Sequence, residues 1–190
     1  YGCSMDGVMR SHAYKLTGIT NGIDVGAWDP ATDAHLPAHY DRGDLSGKGI
    51  CKERLCQELG LLRRDGVCLV GVVSRLTGQK GIDLVIEAVG PYILAGRMQL
   101  AVLGEGEDQL VQRLQALQGR HPGWVCFWHG RNEGLAHRIE AGCDLQLMPS
   151  RFEPCGLNQM YSLRYGTLPL VRCTGGLADT VEDVSTGKGN

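Results

Sequence analysis

Glu153 closes an apolar, strand-like run, Leu145 to Met148 followed by Pro149 and Ser150, and Pro154-Cys155-Gly156 then turn the chain into a helix that begins near Leu157. The first amides of a helix lack partners within it, and with the helix dipole they favour a bound anion. A carboxylate beside a phosphate-sized pocket suits a ligand with both phosphate and hydroxyls, such as a nucleotide sugar. A second candidate is the loop Ser74-Arg75-Leu76-Thr77-Gly78-Gln79-Lys80-Gly81, directly after an apolar run. Arg75 and Lys80 there could neutralise a pyrophosphate, the arginine in bidentate fashion. A third is Thr174-Gly175-Gly176-Leu177, where adjacent glycines permit close backbone approach to a ligand. Each motif also has a plainer reading: an acidic residue before a helix, a solvated basic loop and a tight turn.

Other constellations carry less. Gly104-Glu105-Gly106-Glu107-Asp108-Gln109 follows a strand but has Gln109 where a dinucleotide fingerprint needs its third glycine. Its three carboxylates would also repel a pyrophosphate, so an NAD site is rejected, and no P-loop occurs. His35 and His39 flank a proline and form no helical metal pair, and His137 reads as structural. No metal-ligand set is visible. The eight cysteines show no C-x-x-C spacing, and several sit in apolar runs such as VCLVGVV. They read as buried free thiols in a reducing compartment.

The elements that must position these motifs alternate regularly. Apolar runs at 67–74, 98–103, 124–128, 144–148 and 168–171 read as strands. Helical spacing covers 46–62, 82–94, 109–117, 135–141, 157–165 and 177–184. Strands that are apolar throughout, each followed by a helix, predict an α/β fold with a parallel sheet covered on both faces. Ligands of such sheets bind at the carboxyl ends of the strands, where all three motifs fall. Residues 1–45, rich in Gly, Asp, His and Pro, read as a hinge or linker, and 46–190 as the domain.

The 190 residues carry a formal net charge of −2, which gives no electrostatic case for nucleic acid. No apolar run approaches the ~20 residues of a membrane span. The chain starts at Tyr1 and ends at Asn190 without an evident terminal element, and reads as a piece of something longer.

With these residues in place, the sequence resembles the bacterial glycogen synthases and plant starch synthases, retaining glycosyltransferases of the two-domain GT-B type. The matching blocks are TGITNGID with WDPATD, SRLTGQKGIDL, LGEGE, AHRIEAGCD, MPSRFEPCGLNQMY and RYGTLPLVRCTGGLADTV, in family order from Lys15 to Asp183. The resemblance implies a Rossmann-like donor-binding domain, incomplete at its C-terminal end. It implies transfer of glucose from ADP-glucose to the non-reducing end of an α-1,4-glucan, glycogen or starch, with retention and without a metal or other cofactor. By residue match, Arg75 and Lys80 grip the distal phosphates, and Glu153 is the essential carboxylate near the donor glucose. Cys155, Gly156, Leu157 and Asn158 contact phosphate or ribose, Thr174, Gly175 and Gly176 line the donor site, and Asn21 reaches the glucose from the hinge. Arg131 stands where many relatives place an aromatic residue against the base. Tyr161 stands where the sucrose- and lipid-sugar-forming relatives carry a second glutamate, which favours the glucan synthases over those relatives. A non-catalytic carbohydrate-binding module is the rival of another class. The N-terminal half of the family is absent, so the resemblance implies an inactive fragment whose partner is that missing domain. A bacterial cytoplasm is the expected location, with a plastid as the alternative.

Overall fold

A computed structural model describes residues 4–185. Two short helical pieces open it, α1 (Asp6–Ser11) and a 3₁₀ turn over Ala13–Lys15, neither of which buries a residue. The main body runs α2 (Ser46–Glu58), β1 (Cys68–Val73), α3 (Ile82–Ala88), α4 (Gly90–Leu94), β2 (Met98–Gly104), α5 (Asp108–Arg120), β3 (Val125–His129), α6 (Glu133–Gly142), β4 (Leu145–Met148), α7 (Asn158–Arg164), β5 (Leu168–Val171) and α8 (Gly175–Thr180).

The five strands among the described residues are all parallel, in the order β3-β2-β1-β4-β5. Alternate residues of the central strands serve the two faces. Val70, Val72, Leu100 and Val102 pack on one side against Ile82, Val85, Ile93 and Leu114 of α3, α4 and α5. Leu69, Ala101 and Leu103 pack on the other against Leu55 of α2 and Leu135 and Ile139 of α6. This is the covered parallel α/β sheet expected from continuous apolar strands, in the Rossmann-like form that the resemblance implied. β5 forms one edge, with Leu168 and Leu170 more than half exposed.

Three helices depart most from the periodicity reading. The helix expected over 46–62 stops at Glu58, because Gly60 adopts a left-handed conformation (φ 64°). The amides of Gly60 and Leu61 then close back on Gln57 and Cys56. The helix expected over 82–94 is two helices, broken at Val89, because Pro91 lacks an N–H and crowds the preceding turn. The helix expected over 177–184 instead spans Gly175–Thr180. Thr180 Oγ1 donates back to the Gly176 carbonyl at 2.6 Å, a side-chain bond that competes with helix continuation.

The stretch read as a linker divides in two. Residues 4–27 are exposed apart from the half-buried Ile23, whereas Leu36 and Tyr40 join a third apolar cluster with Cys51, Ala141 and Tyr165. The Tyr40 hydroxyl donates to the Tyr165 carbonyl at 2.9 Å. Residues 28–40 are therefore a strap across the ends of α6 and α7. The seven cysteines among the described residues are all free thiols: three buried, three half-buried and Cys173 exposed. Cys3 lies outside the described residues. No helix among the described residues is long and apolar enough to cross a membrane.

Candidate active site

β1 lies between β2 and β4, and the chain leaves it toward β2. The strand order thus reverses between β1 and β4, where an open α/β sheet leaves a crevice at the strands' carboxyl ends. A cleft of about 170 Å³ occupies this point. Val73, Ser74, Arg75 and Lys80 line it from β1 and the loop after it, and Met148, Ser150, Gly156, Leu157 and Asn158 from β4 and the start of α7.

The two loops are held to each other by complementary chemistry. Lys80 Nζ pairs with Glu153 Oε2, and Ser150 Oγ donates to the same carboxylate oxygen at 3.1 Å. The Glu153 side chain is only 7% exposed and that of Lys80 18%. A carboxylate in so dry a place needs such partners to offset its burial. Below the pair, Arg151 forks onto both oxygens of Asp83 at 2.8 and 2.6 Å and reaches the Gly78 carbonyl at 2.7 Å. The Arg151 amide donates to the Gln79 carbonyl, and the Gln79 side-chain amide donates to the Phe152 carbonyl. The Arg151 guanidinium holds the Asp83 carboxyl below its ordinary range, against burial. Arg75, by contrast, is exposed and makes one long contact, 3.5 Å to Gln79 Oε1.

The glycine turn closes the far side. The Gly176 amide donates to the Glu153 carbonyl at 2.9 Å. A Cβ at Gly175 would fall 2.1 Å from that carbonyl oxygen, and one at Gly176 would fall 2.3 Å from Cys155 Cα. Thr174 precedes this turn and caps α8 without a side-chain bond. Residues 174–176 therefore support the Glu153–Cys155 backbone, and they do not line the cleft itself. Asn158 anchors the start of α7 to the sheet, its Nδ2 donating to the Val73 carbonyl at 2.5 Å. No side chain caps the N-terminus of α7.

A second cleft of about 360 Å³ continues over the ends of β2 and β3 and shares Val73, Ser74, Arg75 and Asn158 with the first. Arg131 and Glu105 stand at its rim and pair with each other at 2.6 Å. The structure thus brings together Arg75, Lys80, Glu153, Gly156, Leu157 and Asn158, with Cys155, Gly175 and Gly176 packed directly behind Glu153. Asn21 is not among them: it is exposed in the 18–27 stretch and lines neither cleft.

The sequence reading passed over a buried cluster behind α7. Asp33 Oδ2 accepts from His137 Nδ1 at 2.7 Å and from the Tyr165 hydroxyl at 2.6 Å. Burial alone would raise the Asp33 carboxyl, but bonds from Tyr165, the His35 amide and His137 outweigh it and keep it low. Trp28 of the strap lies flat between His137 and Tyr161, with ring centroids 3.7 Å from each. His137 is structural, as its sequence context suggested. Its hydrogen-bond partner Asp33 lies 104 residues away, beyond the reach of any local pattern. Ser150 was equally silent, although its spacing of three from Glu153 was a usable signal.

Comparison with known proteins decides the family. Residues 61–188 match the profile of "Glycosyl transferases group 1". The chain belongs to that family. It is 58% identical over 182 residues to a glycogen synthase of Anaeromyxobacter dehalogenans and 51% identical to one of Thioalkalivibrio sulfidiphilus. Each match takes in 96% of the chain and 38% of the relative, so the chain spans well under half the length of these proteins. Among solved structures, the catalytic domain of starch synthase IV from Arabidopsis thaliana superposes with a TM-score of 0.92 at 36% identity, over 100% of this chain and 39% of that one. Anabaena HepE shares the fold at 22% identity, with a TM-score of 0.63 over 90% of this chain and 42% of that one. Over less than half of their length, glycogen and starch synthases are thus what this chain is similar to, and it shares the α/β, Rossmann-like fold of these glycosyltransferase structures.

Proposed function

We propose that the chain is the donor-binding half of a glycogen or starch synthase. It takes ADP-glucose, whose glucose passes with retention to the non-reducing end of an α-1,4-glucan when the missing N-terminal domain closes over the cleft. The observation that carries this reading is the Lys80–Glu153 pair at the strand-order reversal, with Arg75 uncommitted beside it and the start of α7 opposite. Cleaving a glycosyl phosphate builds negative charge on the diphosphate and positive charge on the sugar carbon. Arg75 and Lys80 answer the first, and charge complements placed where charge develops are commonly the largest catalytic contribution. Glu153 stands for the sugar side. Backbone groups at Gly156 to Asn158 face the phosphates, and the Thr174-Gly175-Gly176 turn holds Glu153 in register.

The starch synthase IV domain is described bound to ADP and acarbose, which supports an adenine nucleotide and a glucan-like acceptor. Asn21 reaches the donor only after the hinge moves, since it lies away from both clefts here. Two cations take the place of a metal on the diphosphate. The chain alone binds donor without transferring glucose, because closure of both domains is what excludes water. The whole protein works in a bacterial cytoplasm.

Calorimetric titration with ADP, UDP and NAD⁺, on the parent chain and on Arg75→Ala/Lys80→Ala, tests the reading. ADP binding over UDP, abolished by the double change, is expected. A folded chain that prefers NAD⁺, or whose ADP binding survives the double change, would overturn it.

A further inference from the structure

Behind α7, outside both clefts, one carboxyl group is buried without a cationic partner. Glu140, near the end of α6, is 1% exposed and takes part in none of the ion pairs among the described residues. Its Oε2 lies 2.7 Å from Ser162 Oγ of α7. The same hydroxyl lies 2.7 Å from the backbone carbonyl of Asn158, one helical turn back.

A serine hydroxyl has one proton, and a carbonyl can only accept. If Glu140 were ionised, two acceptors would compete for that single proton in a place shut off from water. Two separate full-strength bonds form together when Glu140 brings a proton of its own, whereas an ionised Glu140 would have to share the single proton with the carbonyl. The groups that face it do not change this count. Lys48 of α2 has its three N–H bonds engaged by the Ala141 carbonyl at 2.9 Å, the Tyr165 carbonyl at 3.2 Å and Thr167 Oγ1 at 2.7 Å. Tyr161 of α7, Tyr40 of the strap and Cys143 at the end of α6 also sense Glu140, and none of them is a cation. Burial pushes the Glu140 carboxyl up to about 8, with the Ser162 bond and the Lys48 charge pulling the other way.

We propose that Glu140 is a neutral acid in the native protein and a positioning residue: it donates to Ser162, Ser162 donates to the Asn158 carbonyl, and this relay sets the start of α7 at the phosphate cleft. Asn158 is the point of delivery, because its side chain already ties α7 to the end of β1. When Glu140 loses its proton to solvent, Ser162 turns its hydrogen to the new carboxylate. The Asn158 carbonyl then loses its side-chain donor. The significance for phosphate rests on the donor-site reading, whereas the protonation state does not.

Carbon and nitrogen NMR of the labelled chain, followed from about pH 5 to about pH 9, tests it. The Glu140 carboxyl carbon should titrate several units above an ordinary glutamate. The amides of Gly156, Leu157 and Asn158 should shift with the same midpoint. In Glu140→Gln, whose amide group donates as the acid does, those three amides should stay fixed across the range. In Ser162→Ala, Glu140 should still titrate high while the cleft amides no longer follow it. A Glu140 carbon that titrates in the ordinary carboxyl range overturns the proposal, as do cleft amides that ignore Glu140 or move equally in Glu140→Gln. ADP added to the same samples separates the two readings, since an intact relay in a chain that binds no ADP would remove the donor site and leave the relay standing.

Discussion

Replacing Lys80 by Met keeps the aliphatic stem and removes only the ammonium, so it isolates what the ion pair does. At about 3 Å and an effective dielectric constant of about 20, the attraction is about 5 kcal/mol. Desolvation of both ions offsets most of this while the pair is intact. Removing one partner is different, because the 7% exposed Glu153 carboxylate is left with Ser150 as its remaining side-chain donor. Broken buried pairs cost ~3–5 kcal/mol, and the residual access of water at Lys80 puts the expectation at the lower end, ~3 kcal/mol. Glu153→Gln should cost less, ~1.5 kcal/mol, because the ammonium it strands is nearer solvent.

The double variant decides the matter. Lys80→Met/Glu153→Gln carries no buried charge, and Ser150 can still donate to the glutamine oxygen, so its cost should be ~1.5 kcal/mol. The coupling energy is then about 3 kcal/mol, at the upper end for residues in contact. Urea unfolding of the four proteins, read by two probes to check two-state behaviour, measures it. If Lys80→Met unfolds within ~0.5 kcal/mol of the parent, or if the two single costs simply add, the pair does not hold the loops together and the reasoning fails.

Four further outcomes follow from the same geometry. Arg75→Ala should leave urea stability within ~0.5 kcal/mol, because the side chain is exposed. In the full-length protein it should lower glucosyl transfer by about 10²–10³, as loss of one charge-stabilising donor does. Gly176→Ala should destabilise by ~1–3 kcal/mol in urea unfolding, since its methyl would meet Cys155 Cα at 2.3 Å and the two backbones must part. Trp28→Ala should cost ~2–3 kcal/mol by thermal unfolding, through loss of two ring stacks and the strap's hold on α7. Asp83 has a folded pKa below its ordinary 3.8, so its contribution is present above that value and lost as pH falls through the lower one. Asp83→Asn should therefore be less stable than the parent by ~1 kcal/mol at neutral pH, with the gap closing under acid, as urea midpoints across pH would read.

The parallel sheet was legible because continuous apolar runs such as Cys68–Val73, and 100–104 within β2, have no polar face to hide, and the spacing of the strands leaves room for a helix between each pair. Arg75, Lys80 and Glu153 were legible for a topological reason: residues that leave neighbouring parallel strands must converge at one end of the sheet. What could not be read was anything that depends on which distant side chains meet. The hinge composition of residues 28–40, with two prolines and two histidines, gives no sign that Asp33 will meet Tyr165 over a separation of 132 residues. Nor does the helical pattern of α6 show that Glu140 faces inward, since a glutamate before Ala-Gly looks like an ordinary solvated position.

The same distinction bears on the chemistry. On the donor-half reading, the reaction separates charge, with negative charge moving to the diphosphate and positive to the sugar carbon. The resting site already contains a separated pair, Lys80 and Glu153, held in contact and largely out of water. An arriving diphosphate competes with Glu153 for Lys80, and Arg75, which makes only one long contact, can meet it first. As Lys80 is drawn to the phosphates, Glu153 loses its cation at the moment when a cationic sugar carbon is forming nearby. The favourable energy of the resting pair is thereby replaced by two interactions that strengthen toward the transition state, the condition under which binding accelerates the chemical step. Ser150 and the Gly176 amide keep the Glu153 loop in place while its partner changes. On that reading, the pair holds the two loops together at rest and, once split, supplies both of the charges that the reaction needs.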